Sequence, residues 1–531
     1  MATFDIIIKE GTVYDGSGGE PRRADVGIVG DRVAAIDDLS HAQADAVIDA
    51  SGLAVAPGFI DIHTHSDFFS LLAPGAESKV TTGVTTELLG NCGGSAFPLR
   101  GEAKDRAQQV YGDYGLSIAW EDIDGYFDHA EQVGYAVNRA CLTGHGTLRA
   151  LAVGYGAQAP TKAQLKQMKR ELTACLDGGS VGLSTGLIYP PGCYGETEEI
   201  IELVKVVARY DGLYASHVRG ENEVGVQAIE EHLRITRAAG VRSEIAHIKC
   251  SGRANWGNLP RYRELIEEAR AQGADVTADR YPYVAASTSL NTVFPTWLHV
   301  DGIEAELARL KDPETRATLS RYVAEQHPEG EAEYWQSIMI CYVSSEENKR
   351  LVGLRMSQVA ELMGSPPAEA AMDLLLAERC KVSAIFFSMS EENLKELYTW
   401  PFVMLGSDAG VRSADGPTRV GKPHPRAFGT PARFLARYVR EAGVVSLAEG
   451  IRKLTSLPAQ RIGLAQRGRL QKGYFADVVV LDPETVSDRA TFEDPFQYSV
   501  GFAHVLVNGV PVIRAGEHTG ARPGRIVRRG Q

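Results

Sequence analysis

The chain has 531 residues, 44% hydrophobic and 23% charged, with a formal net charge of −13 and a pI near 5.6. This is globular composition, with enough apolar residues for a large core and more than one domain. The acid excess rules out the basic footprint of a nucleic-acid binder, and the lack of any apolar run of about 18 residues rules out a helical membrane span.

The start, Met1-Ala2-Thr3-Phe4-Asp5, has no basic segment leading into an apolar one. No secretory leader is therefore expected, and the expected setting is cytoplasmic. Cys92, Cys141, Cys175, Cys193, Cys250, Cys341 and Cys380 form an odd, scattered set. Such a set reads as reduced thiols, one of which is available as a metal ligand.

Residues 4–9, 11–14 and 25–36 read as short strands broken by glycine turns. The far end is alike: residues 476–481, 504–507 and 510–513 read as strands, with Asn508-Gly509 as a hairpin turn. Two β-rich ends around a different middle predict one small β-sandwich built from residues 1–56 and 465–531. Between them, in residues 57–464, short apolar runs alternate with amphipathic helical stretches such as 164–176 and 265–272. That alternation predicts βα units and a parallel sheet.

The candidate strands of this middle region end at His63/His65, Cys92, His145, Tyr189, His217, His247, Tyr281 and Asp408, and residues 382–389 make a ninth. Eight close a (β/α)8 barrel, and one is accessory. His63 and Cys92 are 29 residues apart, and His217 and His247 are 30 apart, close to one βα repeat of about 30 residues. Reactive side chains thus recur at the rim where barrel active sites lie. Tyr281 to Asp408 is 127 residues. Residues 291–350 within that stretch predict an inserted, lid-like subdomain.

The apolar run before His63-Thr64-His65 places two imidazoles on one face of a strand end, since i and i+2 point the same way. That arrangement suits a divalent metal. Cys92 is flanked by glycines that let the backbone approach another group closely. His217 and His247 follow apolar runs in adjacent βα units. With Cys92 they form a Cys/His/His set that leaves one tetrahedral position open, the pattern of catalytic zinc. Asp408, in Gly406-Ser407-Asp408-Ala409-Gly410, ends a strand where a carboxylate needs a partner. It reads equally as an N-cap of the following helix. His145, in Thr143-Gly144-His145-Gly146, reads as a carbonyl-polarising group, a support for the metal shell or a structural histidine.

Taken together, these motifs resemble the amidohydrolase superfamily and, more narrowly, the D-aminoacylases (N-acyl-D-amino-acid deacylases). The similarity runs in order along nearly the whole chain. It includes residues 57–65, Gly83-Val84-Thr85-Thr86, Gly90-Asn91-Cys92-Gly93, Gly144-His145, Ser184-Thr185-Gly186-Leu187, Ser216-His217-Val218-Arg219, His247-Ile248-Lys249, Tyr281-Pro282-Tyr283, Gly406-Ser407-Asp408, Pro423-His424-Pro425-Arg426 and Ala476-Asp477-Val478-Val479.

The resemblance implies zinc-dependent hydrolysis of N-acyl-D-amino acids, small-molecule substrates, to a carboxylate and a free D-amino acid. It implies that Cys92, His217 and His247 hold one zinc tightly and that His63 and His65 belong to a second, weaker site. It makes Asp408 the catalytic acid/base, and it makes Lys249, Tyr281 and Arg426 the holders of the substrate carboxylate, with Tyr189 nearby. The D preference belongs to the resemblance alone. Residues 411–422, between Asp408 and Pro423, form a longer segment than the family usually has.

A cyclic-amide hydrolase of the hydantoinase or dihydroorotase kind would need a bridging carbamylated lysine, and residues 181–189 contain no lysine. A non-catalytic scaffold of the same fold would be expected to lack some ligands, whereas all are present here. Specialists for acidic substrates would need a further cation. Arg253, Arg280 and Arg412 are the candidates, none singled out by its context, so the expected D side chain is neutral or hydrophobic. No oligomeric state follows from the sequence.

Overall fold

The computed structural model describes residues 3–328 and 330–530. Residues 1, 2 and 531, at the outer ends of the expected terminal domain, and residue 329, inside the expected insertion, lie outside the described residues.

The middle of the chain is a ring of eight parallel strands. In chain order they are Phe59–Asp61, Val84–Leu89, Asn138–Gly144, Gly182–Gly186, Leu213–His217, Arg242–Ile245, Val276–Arg280 and Val403–Leu405, each hydrogen-bonded to the next. Helices cover the outside, so strands two, three, four, five and seven are buried from end to end. Strands buried on both faces lose the alternation of a half-exposed strand, and polar residues on them such as Glu87, Ser184 and Asp279 are buried as well.

The ring closes where Thr64 bridges to Ala409 and the Asp408 amide donates to the His63 carbonyl at 2.8 Å. Buried Lys79 ties this seam. Its ammonium donates to Asp61 Oδ2 at 2.9 Å, Ser407 Oγ at 2.9 Å and the Ala409 carbonyl at 3.1 Å. A buried ammonium without such partners would be strongly unfavourable.

The covering helices show why their sequences form them. Thr161 and Gln164 make a capping box at the start of Lys162–Asp177, whose buried face is Met168, Leu172, Cys175 and Leu176. All seven cysteines are free.

Strands from both termini join one nine-stranded sheet. Its core draws Ile8, Val26, Ile28 and Val55 from the first part of the chain and Val478, Val480 and Leu506 from the last. Asn508 and Gly509 turn the hairpin between Phe502–Val507 and Val510–Arg514 with φ of +50° and +80°, the left-handed pair that a two-residue turn requires.

Between strands seven and eight the chain builds a separate layer. A three-stranded antiparallel sheet is formed by Ala286–Ser289, Ser383–Phe386 and Ile338–Tyr342, with Ser383–Phe386 in the middle. The ninth strand candidate is therefore the accessory one. Helices that include Ile303–Lys311, Pro313–Gln326, Met356–Met363 and Pro367–Ala377 pack with this sheet around Leu298, Trp335, Ile338 and Met372. Residues of this layer reach beyond 291–350 on both sides, because its outer strands begin at Ala286 and its middle strand comes at Ser383. Among the described residues, no helix is long and apolar enough to cross a membrane.

Candidate metal centre and substrate cleft

The ends of strands one, two, five, six and eight converge on one point of the barrel rim. Sharp turns aim the side chains there. Cys92, His247 and Asp408 have φ of +52°, +37° and +52°, a left-handed region that residues other than glycine seldom occupy and that tends to mark functional turns. After Cys92 the chain passes so close to strand four that a Cβ on Gly93 would lie 2.7 Å from the Gly186 amide nitrogen, and Gly93 itself has φ of +75°. Only glycine meets both demands.

Cys92 Sγ lies 3.3 Å from His63 Nε2, 3.5 Å from His247 Nε2 and 3.8 Å from His217 Nδ1. Asp408 Oδ1 lies 3.0 Å from His65 Nε2 and 3.6 Å from His63 Nε2. Ligand atoms of His63, Cys92, His247 and Asp408 all fall within 4.8 Å of one another, as do those of His217, Glu221 and His247. The structure thus brings together Cys92, His217, His247, His63 and Asp408. His65 stands at the edge through its bond to Asp408, with its side chain 38% exposed.

Electrostatics favour the ligand forms of the thiol and the carboxylate. Burial opposes a thiolate at Cys92, but His63, His217 and His247 outweigh it and hold the thiol well below its ordinary range. Burial likewise opposes charge on Asp408, yet Arg426, His247, His65 and His63 hold its carboxyl well below the usual carboxylate range.

Behind the ligands lie groups that orient them. Asp279 Oδ2 is 3.2 Å from His63 Nδ1, and Glu221 Oε1 is 3.0 Å from His247 Nδ1. A carboxylate accepting from one ring nitrogen leaves the other nitrogen's lone pair free for a metal. His217 Nε2 is buried without a hydrogen-bond partner. One thiolate, imidazoles, an adjacent carboxylate and an orphaned imidazole nitrogen fit a borderline-soft divalent ion such as zinc.

The expected substrate holders gather around Tyr281, but their charges are already met. Lys249 Nζ donates to Glu221 and lies 2.7 Å from His247 Nδ1. Arg426 Nη1 lies 2.7 Å from Asp408 Oδ2. Arg426 and Arg280 stack 4.6 Å and 4.0 Å from the centre of the Tyr281 ring, and the buried Tyr281 hydroxyl has no partner. Lys249 and Arg426 are therefore parts of closed networks before any substrate arrives. Tyr189 accepts from the Thr288 hydroxyl at 3.1 Å and faces the cleft. Burial, then Cys92, keeps its phenol protonated, so it is a hydrogen-bond donor.

His145 is not part of the cluster. It begins the helix after strand three and is fully buried. Its Nε2 sits 2.8 Å from Glu199, which also pairs with Arg149. Support for the metal shell falls instead to Glu221 and Asp279. Glu221 was legible as a carboxylate four residues after His217. Asp279 stands in Val276-Thr277-Ala278-Asp279-Arg280, where nothing local pairs it with a histidine.

Above the cluster the cleft has two arms, of about 470 and 420 Å3. They meet at His65, Asp408 and Arg426, and helix Glu102–Tyr111 lines both. Ser287, Ile303 and Tyr342 of the inserted layer wall the second arm.

Residues 46–513 match the model of the amidohydrolase family. An N-acyl-D-glutamate deacylase of Alcaligenes xylosoxydans xylosoxydans is 38% identical over 528 residues, which is 99% of this chain and 97% of that protein. A D-aminoacylase of the same organism is 38% identical over 526 residues, or 99% of this chain and 98% of that protein. A crystal structure of N-acyl-D-glutamate deacylase from Bordetella bronchiseptica is in complex with zinc and a phosphonate mimic of the tetrahedral intermediate. It superposes with a TM-score of 0.84 at 35% identity, covering 99% of this chain and 100% of that one.

Proposed function

The chain belongs to the amidohydrolase family, and from that premise we propose that it is a zinc-dependent hydrolase of the linear amide bond in N-acyl-D-amino acids. One observation carries this reading: a single thiol, Cys92, lies within 3.3 to 3.8 Å of three imidazoles from strand ends one, five and six, beside Asp408. Strand four, Gly182–Gly186, has no lysine that could be carbamylated, so the geometry favours this chemistry over cyclic-amide hydrolysis.

Cys92, His217 and His247 would hold the tightly bound zinc, and His63, His65 and Asp408 would complete a weaker second site. Zinc held there supplies Lewis acidity, polarising a carbonyl and lowering the proton affinity of water. Asp408, anionic in the resting site, accepts the proton of the attacking water at its carboxylate and returns it to the leaving amide nitrogen. The Tyr189 hydroxyl donates towards the carbonyl oxygen as negative charge develops on it. Arg426, whose planar fork suits a carboxylate, divides its donors between Asp408 and the substrate α-carboxylate. Binding of substrate therefore draws Arg426 partly away from Asp408 and raises the proton affinity of the base when it is needed.

The test is metal analysis of the purified protein together with release of free amine from N-acetyl-D-leucine and N-acetyl-L-leucine and, because ring opening leaves a ureido acid and no amine, formation of the N-carbamoyl acid from a hydantoin. The expected outcome is turnover of the D-amide alone, abolished by a chelator and restored by zinc. Turnover of the hydantoin in preference to the D-amide would overturn the proposal.

A further inference from the structure

The second arm of the cleft contains positive charge that nothing in it balances. Its lining includes Arg106, Asp113, Arg379, Lys381, Asp408, Arg412 and Arg426. Most of these charges are closed in pairs: Arg379 with Glu304, Lys381 with Asp113, and Arg426 with Asp408 at 2.7 Å. Arg106 and Arg412 are different. Among the described residues neither forms an ion pair. Arg106 stacks 4.3 Å from the centre of the Tyr155 ring. The titratable groups that face Arg412 are Tyr114, Cys341, Tyr111 and Tyr342, with no carboxylate among them.

Arg412 is also built to stay where it is. Its backbone amide donates to Ser78 Oγ at 2.9 Å, its Nη1 donates to the Thr418 carbonyl at 3.1 Å, and its guanidinium lies 4.5 Å from the centre of the Phe69 ring. One edge is thereby fixed and the rest is left facing the arm. A half-buried guanidinium without a counter-charge is unfavourable until an anion meets it, and a fixed planar fork is well suited to a carboxylate. The residue lies in the segment 411–422, four positions after Asp408, so it reaches the arm from the loop that follows strand eight.

We propose that this arm is a second anion subsite, centred on Arg412 with Arg106 beside it. It takes a carboxylate on the substrate other than the α-carboxylate. The proposal rests on the deacylase reading and narrows it: the substrates are N-acyl-D-amino acids with two carboxylates. The second carboxylate comes either from an acidic D side chain or from the far end of a dicarboxylic acyl group.

The experiment compares kcat/KM of the zinc-loaded enzyme for N-acetyl-D-leucine, N-acetyl-D-aspartate, N-acetyl-D-glutamate and N-succinyl-D-leucine. It does so in the wild type and in Arg412→Met, Arg412→Lys and Arg106→Met. The wild type is expected to prefer at least one dicarboxylate over N-acetyl-D-leucine by about 10-fold or more, the worth of one charge-assisted contact. Preference for the aspartate or glutamate substrate assigns the arm to the side chain, and preference for the succinyl substrate assigns it to the acyl group. Arg412→Met is expected to lower the ratio of the preferred dicarboxylate to N-acetyl-D-leucine by about 10- to 100-fold, chiefly through KM. Arg412→Lys should recover part of that ratio, and Arg106→Met should lower it less.

If the wild type hydrolyses N-acetyl-D-leucine but favours no dicarboxylate, the subsite falls and the deacylase reading stands. An equal loss on all substrates in Arg412→Met would make Arg412 the α-carboxylate holder and overturn the subsite. If no N-acyl-D-amino acid is hydrolysed at all, both fall.

Discussion

The two halves of the metal centre are built differently. On strands five and six, His217 and His247 are buried, and Glu221 and Lys249 close a network directly behind His247. On strands one and eight, His65 is 38% exposed on its side chain. There Asp408 is shared between His65, His63 and Arg426 and opens on the cleft. Cys92 stands between the halves and touches His63 on one side and His217 and His247 on the other. On the proposed mechanism, the difference gives holding an ion and moving a proton to separate parts of the rim. In the closed half the charges of Glu221 and Lys249 meet each other. The open half keeps a charge pair that a substrate can redistribute.

Cys92→Ala removes the thiol that touches both halves, so it should have the largest effect. Most bound metal is expected to be lost, and kcat/KM to fall by about 1000-fold or more, because Lewis acidity goes with the ion. Elemental analysis alongside the amine-release assay checks this, and a variant with full zinc and full activity would show that the halves do not share a ligand. Asp408→Asn acts on the open half alone. It should keep zinc while kcat falls by about 10²- to 10⁴-fold, the usual range for a lost acid/base group. Near-normal kcat would move proton transfer elsewhere. Glu221→Gln acts on the closed half and should be mildest, weakening zinc affinity by about 10- to 100-fold with kcat at saturating zinc little changed. Titration against a competing chelator measures it, and an unchanged affinity would mean that His247 takes its orientation from another group.

Much of this arrangement was legible along the chain. The barrel strands and the phase of the reactive residues followed from local pattern, because short runs without strand-like alternation recur between amphipathic helices and the residues just after them fall at the rim. Asn508-Gly509 and the helix capped by Thr161 were legible for the same reason, since a turn or a cap is a matter of a few neighbouring residues. Asp279 was not legible: its partner His63, 3.2 Å away, is 216 residues distant in the chain. The sequence left His145 open between a polarising, a supporting and a structural role, because the partner it pairs with, Glu199, is 54 residues distant.

From the order of residues alone come the (β/α)8 class, the thiol and imidazoles that converge, and the aspartate that ends the last barrel strand. Each depends on periodicity over a handful of positions. Which charges cancel and which remain free was settled only when the ring closed. Glu221 met Lys249, Asp408 met Arg426 and, among the described residues, Arg412 was left without an ion-pair partner. Coulombic pairing depends on separation in space and on the exclusion of water, and neither exists until segments hundreds of residues apart are packed against one another.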